Sequence, residues 1–458
     1  MTVWRRTRLR PLAAALTAAA LGAGLLSGCG TLTGGSTDSG PITVMTWAPV
    51  KTRATNMPGV TAVAKAFARW VNAEGGVNGR ELRVVTCNEG NESVLAARCA
   101  RRAREEGAVA VVGSYSQHSQ VFMASLEADG IPYLGGYGVT EEEFTSPLSY
   151  PVNGGQPALL AGSGQQLSEV CERVALVRPD TLAGDELPEL FNAGLATGRR
   201  SPAADVRVPE DAANYGEEAE QAIRGARGDT PGTPLAPGSG TGGDGTGDGS
   251  GTGGGTGGGA GRDETRAACV SAALGGRTGA FLDSFARAGA GGPEVGFASV
   301  LGSVQQSLVD RTGGGKGILE GSFVTAWYPP SREPVWDEMK QVIQEHAFGD
   351  NRIDAADPGV QTTWVAYTVL RATLESLEGR PVTPRTLQRA LDTSPPLTTG
   401  GLTPDLGWRY EDLLAARSYP RLVNSMVSFQ RVEQGELITT RRDPVDIGPT
   451  LERAIAGN

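Results

Sequence analysis

The chain holds only two histidines, His118 and His346, among 458 residues, so a histidine-rich metal site is excluded. Its five cysteines include no Cys-x-x-Cys pair, which argues against a zinc site. There is no Gly-x-Ser-x-Gly and no Gly-x-x-x-x-Gly-Lys-Ser/Thr stretch. A hydrolase needs a nucleophile with an oriented base. His118 lies beside Ser116 and Ser119, but neighbours two apart do not face each other along a helix. Gly313-Gly314-Gly315-Lys316 lacks the rest of a phosphate loop and reads as a turn. No enzyme and no cofactor is expected. Basic residues are also in deficit, with a formal net charge of -10. Four of the arginines lie in residues 1–28, leaving 37 basic against 51 acidic residues beyond them. That balance argues against nucleic acid as the main partner.

Long apolar runs are missing as well. Residues 12–26 form an alanine-rich apolar run behind Arg5, Arg6, Arg8 and Arg10. It falls short of the roughly 20 residues that span a bilayer, and it reads as a signal peptide over 1–28. The run ends Leu26-Ser27-Gly28-Cys29, which resembles a bacterial lipobox with Cys29 as the lipidated first residue. An ordinary signal peptide with an incidental cysteine is the alternative. Residues 29–40 are rich in Gly, Ser and Thr and read as a flexible tether. The expected location is the extracytoplasmic face of the bacterial cell membrane, reached through the lipid anchor only.

Without Cys29, four cysteines remain: Cys87, Cys99, Cys171 and Cys269. An even number in an exported chain suggests two disulfides, for which three pairings can be drawn. Cys87 ends a strand and Cys99 sits in the next helix, which favours Cys87–Cys99 and leaves Cys171–Cys269. Four buried thiols are the alternative.

The remaining pattern is α/β. Over 68–137, short apolar runs alternate with amphipathic helices, the signature of a parallel sheet wound with crossovers. The runs end in Gly-Ser-Tyr-Ser and Gly-Gly-Tyr-Gly. Ligands bind beyond the carboxyl ends of such strands. The pattern restarts after Tyr150 and is broken at 229–261, where 16 of 33 residues are glycine. Such a segment cannot bury enough apolar surface to fold, so a disordered insertion over 229–262 is expected. It is either a partner-binding tether or a tolerated surface loop. The final residues, 446–458, have no clear assignment.

Asn72-Ala73-Glu74-Gly75-Gly76-Val77-Asn78-Gly79-Arg80 followed by a strand resembles the branched-chain amino-acid-binding proteins, type I solute-binding proteins of ABC importers. So do the Val-Val-Gly-Ser strand end, Gly130-Ile131-Pro132, and Gly321-Ser322-Phe323-Val324-Thr325-Ala326-Trp327. The resemblance runs over about 41–440, apart from the insertion. It implies two Rossmann-like lobes with parallel sheets, the type I periplasmic-binding-protein fold. The first lobe would take residues 41–150 and 324–425, and the second 151–323. A C-terminal hairpin and tail would follow at 426–458. It also implies a monomer that closes on a small polar ligand (amino acid, amide or small carboxylate) and delivers it to an ABC permease. A ligand-sensing receptor or partner-binding lipoprotein of the same fold is the alternative.

By position in these motifs, Trp47, Ser116, Gln117, Tyr137, Gly138 and Thr140 face the cleft from the first lobe. Trp47 is equally readable as core, and the serines as helix caps. In the second lobe the amino-acid binders carry an acidic residue and an aromatic where this chain has Ser299 and Arg277. Loss of the acid removes the partner of a ligand ammonium. Arg277 is placed to grip a carboxylate or phosphate, or else is a solvated surface arginine.

Overall fold

The computed structural model describes residues 40–52, 55–209, 212, 214–229, 266–289, 295–300, 302–416 and 418–454. The expected signal peptide, Cys29, most of the tether and nearly all of the glycine-rich insertion lie outside these residues.

The first lobe starts β1 (Ile42–Ala48), α1 (Pro58–Ala73), β2 (Leu82–Asn88), α2 (Ser93–Glu105), β3 (Val111–Val112), α3 (Ser119–Asp129), β4 (Tyr133–Leu134), α4 (Glu142–Thr145) and β5 (Ser149–Tyr150). The five strands pair in parallel in the order β2-β1-β3-β4-β5. β1 is buried on both faces, as a crossover sheet requires. One face packs Val60, Val63, Phe67 and Val71 of α1, which recur at helical spacing. The other packs Ala96, Ala100, Phe122 and Leu126 of α2 and α3.

The second lobe follows with α5 (Gly155–Val170), β6 (Cys171–Pro179), α6 (Leu182–Asp185), α7 (Leu187–Thr197), β7 (Ala204–Val208), α8 (Gly216–Arg227), β8 (Arg266–Ala272), α9 (Thr278–Arg287), β9 (Val295–Val300), α10 (Gln306–Arg311) and β10 (Phe323–Ala326). The chain then returns to the first lobe's core with α11 (Asp337–His346), α12 (Pro358–Glu375) and α13 (Pro384–Thr393). It ends on β11 (Met426–Glu433), β12 (Glu436–Thr439), β13 (Val445–Asp446) and α14 (Gly448–Ala454).

The second sheet has the order β12-β11-β10-β9-β8-β6-β7, with β13 beside β11. It is parallel from β7 to β10 and antiparallel from β10 to β12. The sheet is therefore mixed, where the sequence suggested a parallel one. The stretch 317–327 contributes β10 to this sheet, and the terminal hairpin extends the same sheet. The last residues, unassigned from sequence, form α14, which packs Leu451 into the second lobe's core.

Two disulfides join Cys87 to Cys99 and Cys171 to Cys269. The first ties β2 to α2. The second ties the start of β6 to β8, its neighbour in the sheet.

Three chain crossings link the lobes and are bonded to one another. Asn153 Nδ2 donates to Tyr328 Oη at 3.1 Å and to Thr362 Oγ1 at 3.3 Å. Trp327 Nε1 donates to Gly155 O at 2.8 Å. Asn424 Nδ2 donates to Val152 O at 3.1 Å, and Gln430 Nε2 to Tyr328 O at 2.9 Å. These groups are buried, so each bond satisfies a donor that would otherwise be costly.

Candidate functional site

The cleft-facing ends of β2, β3 and β4 carry Glu89, Gly113 to Gln117, and Gly135 to Thr140. The start of α12 meets them, because Thr363 Oγ1 donates to Gly113 O at 2.8 Å. Asp357 caps that helix, accepting from Gly359 N at 2.7 Å and Val360 N at 3.2 Å. Burial pushes the Asp357 carboxyl up to about 6. From the second lobe come Gly275, at the end of the β8 loop, and Gly302 and Ser303, just past β9. Gly275 N donates to Ser303 Oγ at 2.9 Å.

The two lobes meet at an aromatic ladder. The Tyr137 ring stands edge-on to Tyr115, with centroids 5.0 Å apart, and to Trp327, at 5.1 Å. Gly302 lies against the same tyrosine. A methyl group there would stand 2.6 Å from Tyr137 Oη, and its φ of 91° disfavours any side chain. Val300 belongs to the first lobe's apolar cluster although it ends a second-lobe strand. A polar groove of about 270 Å³ is lined by Gln306 and Asp310 from the second lobe, Lys340 and Asp354 from the first, and Ser331 and Arg332 of the crossing, and by none of the residues of the aromatic ladder.

The first-lobe residues singled out from sequence cluster here, with one exception. Ser116 is buried; its hydroxyl donates to Glu89 Oε2 at 3.0 Å and accepts from His118 N at 3.1 Å. Gln117 is exposed and donates to Tyr115 Oη at 3.0 Å. Gly138 and Thr140 donate to Glu143, Gly138 through its N–H and Thr140 through both N–H and hydroxyl.

Trp47 is the exception. It is fully buried, edge-on to Phe122 at 5.0 Å and tilted against Tyr133 at 6.1 Å. Side chains alternate along a strand, and Trp47 shares its face of β1 with Met45, packed under α2 and α3. It is a core residue, not a cleft wall.

The second-lobe residues fall to either side of the site. Ser299 is still within β9, and its hydroxyl donates to Ala272 O of β8 at 2.5 Å. Gly302 and Ser303, three and four residues later, lie nearer the lobe boundary than Ser299 does. Arg277 is exposed at the rim, its Nη1 donating to Ala212 O at 3.3 Å. It reaches a backbone carbonyl rather than the cleft centre.

Sequence reasoning missed two buried acids. Glu89 is fully buried, and burial raises its carboxyl against the bonds from Ser116 and Asn91 and the nearby charge of His118. Glu143 is also buried and is pushed up to about 7 by burial, against the bonds from Gly138, Val139 and Thr140. Burial pushes the neighbouring Tyr115 hydroxyl up to about 12. Among the described residues no Lys or Arg pairs with either acid, and no group of three His, Cys, Asp or Glu is arranged to hold a metal ion. Glu143 is the third acid of Glu141-Glu142-Glu143, which in sequence looks like a solvated helix start. The only local signal was the Thr140-x-x-Glu143 spacing of a capping box.

Two lobes joined by three crossings, with polar and aromatic groups converging where they meet, define a bilobal α/β protein of the kind whose interlobe cleft suits a small ligand. Consistent with that, residues 52–419 match the periplasmic binding protein family, and the chain belongs to it. This family's fold binds solutes and carries no reaction centre of its own. No curated protein matches the sequence.

Solved structures of the same fold include a substrate-binding periplasmic protein from Ralstonia solanacearum. It is 17% identical, with a TM-score of 0.64, over 87% of this chain and 99% of that one. A leucine-binding protein from Thermotoga maritima is 13% identical, with a TM-score of 0.61, over 87% and 98%. A solute-binding protein of an ABC transporter from Rhodopseudomonas palustris BisB5, in complex with 3,4-dihydroxybenzoic acid, is 12% identical, with a TM-score of 0.63, over 89% and 97%. At these identities the likeness is one of fold.

Proposed function

We propose that this chain is an extracytoplasmic solute-binding lipoprotein, anchored through Cys29, that closes on a small polar ligand and delivers it to an ABC permease. The observation that carries this reading is the hydrogen-bonded set of crossings beside a cleft where Tyr115, Tyr137 and Trp327 meet Gly302 across the lobe boundary. Closure there would exclude water from a polar ligand, which strengthens each bond to it. Solved relatives named for leucine and for an aromatic acid support a small organic solute. The charged stretch at 1–28 and Cys29 support export and lipid anchoring.

The test is a melting-temperature panel of the mature chain against amino acids, amides, small carboxylates and ureas. A compound that binds only the folded state raises the midpoint. The same compound should then lose its uptake into cells when the gene is deleted. A shift with uptake unchanged would replace transport by ligand sensing. A panel with no shift would remove the solute-binding reading.

A further inference from the structure

The first-lobe donors that the family resemblance assigns to a ligand are already in use within the chain. Glu143 takes Gly138 N–H at 3.0 Å on Oε2. On Oε1 it takes Val139 N–H at 2.9 Å, and the Thr140 N–H at 3.3 Å and hydroxyl at 3.2 Å. Glu89 takes the Ser116 hydroxyl at 3.0 Å and Asn91 N–H at 3.0 Å. The Ser119 hydroxyl, at the start of α3, donates to Glu142 Oε2 at 2.6 Å. Both cleft-facing stretches, 116–119 and 137–140, therefore already engage carboxylates of the chain itself.

A ligand carboxylate entering here would find the Gly138, Val139 and Thr140 amides already taken by Glu143, and the Ser116 and Ser119 hydroxyls by Glu89 and Glu142. A capping box of Thr140-x-x-Glu143 spacing would account only for the Thr140 amide bond, and α4 itself is capped at Glu141 with no side-chain bond. Such a box does not account for the bonds from Gly138 and Val139, which lie before it. Those two amides turn the loop into a closed anion nest. The groups left for a ligand are the aromatic faces and hydroxyls of Tyr115 and Tyr137, together with the remaining lone pairs of Glu89 and Glu142.

We propose that Glu143 is a specificity-determining residue that fills the site of a ligand carboxylate, so that the cleft takes a solute bearing an amide or amine in its place. This rests on the solute-binding reading above and narrows its ligand class.

The test uses the mature chain, wild type and Glu143→Ala, with sodium acetate, acetamide and a sodium chloride control of equal ionic strength. Emptying the nest should let acetate in. At about 100 mM acetate the variant's melting temperature should rise by ~2 °C or more over the chloride control, while the wild type stays unmoved. A folded variant that ignores acetate, or a wild type that responds as strongly as the variant, would overturn the proposal. Should the alanine variant not fold, benzoate and benzamide are compared on the wild type. The amide should give the larger shift, and a larger shift with the acid would overturn the proposal. A pure capping role predicts no such preference. A wild type moved by neither compound would overturn the proposal, while the solute-binding reading would still be decided by the wider panel.

Discussion

Replacing Glu143 by Gln should remove a pH dependence from the protein's stability. The Glu143 carboxyl is raised from an ordinary 4.5 to about 7, because burial disfavours its charged form more than the amides of Gly138, Val139 and Thr140 favour it. A raised carboxyl keeps its proton in the folded chain after the unfolded chain has lost it. Its contribution is thus fully present below pH 4.5, is lost as pH rises towards 7, and is flat above. A window of about 2.5 units corresponds to about 3 kcal/mol. Asp357 and Glu89 are raised in the same direction, but they are common to both proteins and cancel in the difference. The assay is urea unfolding of wild type and Glu143→Gln from pH 4 to pH 8. The glutamine variant should gain about 3 kcal/mol relative to wild type between pH 4.5 and 7, whatever its constant offset. Parallel curves would show that Glu143 titrates as an ordinary surface carboxylate. A gap moving the other way would show that the ionised form is the one the fold prefers.

Two further substitutions test the packing and the cross-links. A methyl group at Gly194 of α7 would stand 2.1 Å from Ala161 O of α5, so Gly194→Ala should cost about 1–3 kcal/mol through overpacking, seen as a lower urea midpoint. An unchanged midpoint would mean that the two helices are not packed this closely. The disulfides close loops of very different length, with sequence separations of 98 for Cys171–Cys269 and 12 for Cys87–Cys99. Replacing the first pair by Ala should cost about 5 kcal/mol and the second about 3, measured by the same assay. The reverse order would contradict the loop-entropy account.

Much of the fold was legible because it rests on periodicity. The apolar runs of β1, β2 and β6 and the helical spacing of Val60, Val63, Phe67 and Val71 mark buried faces that no other arrangement explains. The disulfide partners followed from where Cys87 and Cys99 sit on a strand and the next helix. The antiparallel edge was less visible. The strand Phe323–Ala326 reads the same whether its neighbour runs parallel or antiparallel.

The site was legible only by segment. Trp47 was ambiguous because a strand's last residue points to either side depending on a parity that its end does not reveal. Ser299 misses the cleft because β9 extends to Val300. Glu89 and Glu143 carry no sign of burial in the sequence, since an acid after a strand and an acid in a run of three are ordinarily solvated. Only the folded loops bring Ser116 to the first and three successive amides to the second.

The most direct measurement is calorimetric titration of the mature wild-type chain with leucinamide and leucine, which share a side chain and an ammonium group and differ only at the carboxyl end. The account predicts an affinity for leucine at least about tenfold weaker than for leucinamide, a gap of about 1.4 kcal/mol. Leucine binding tighter than leucinamide would contradict it, because the amides of Gly138, Val139 and Thr140 would then be serving the ligand rather than Glu143.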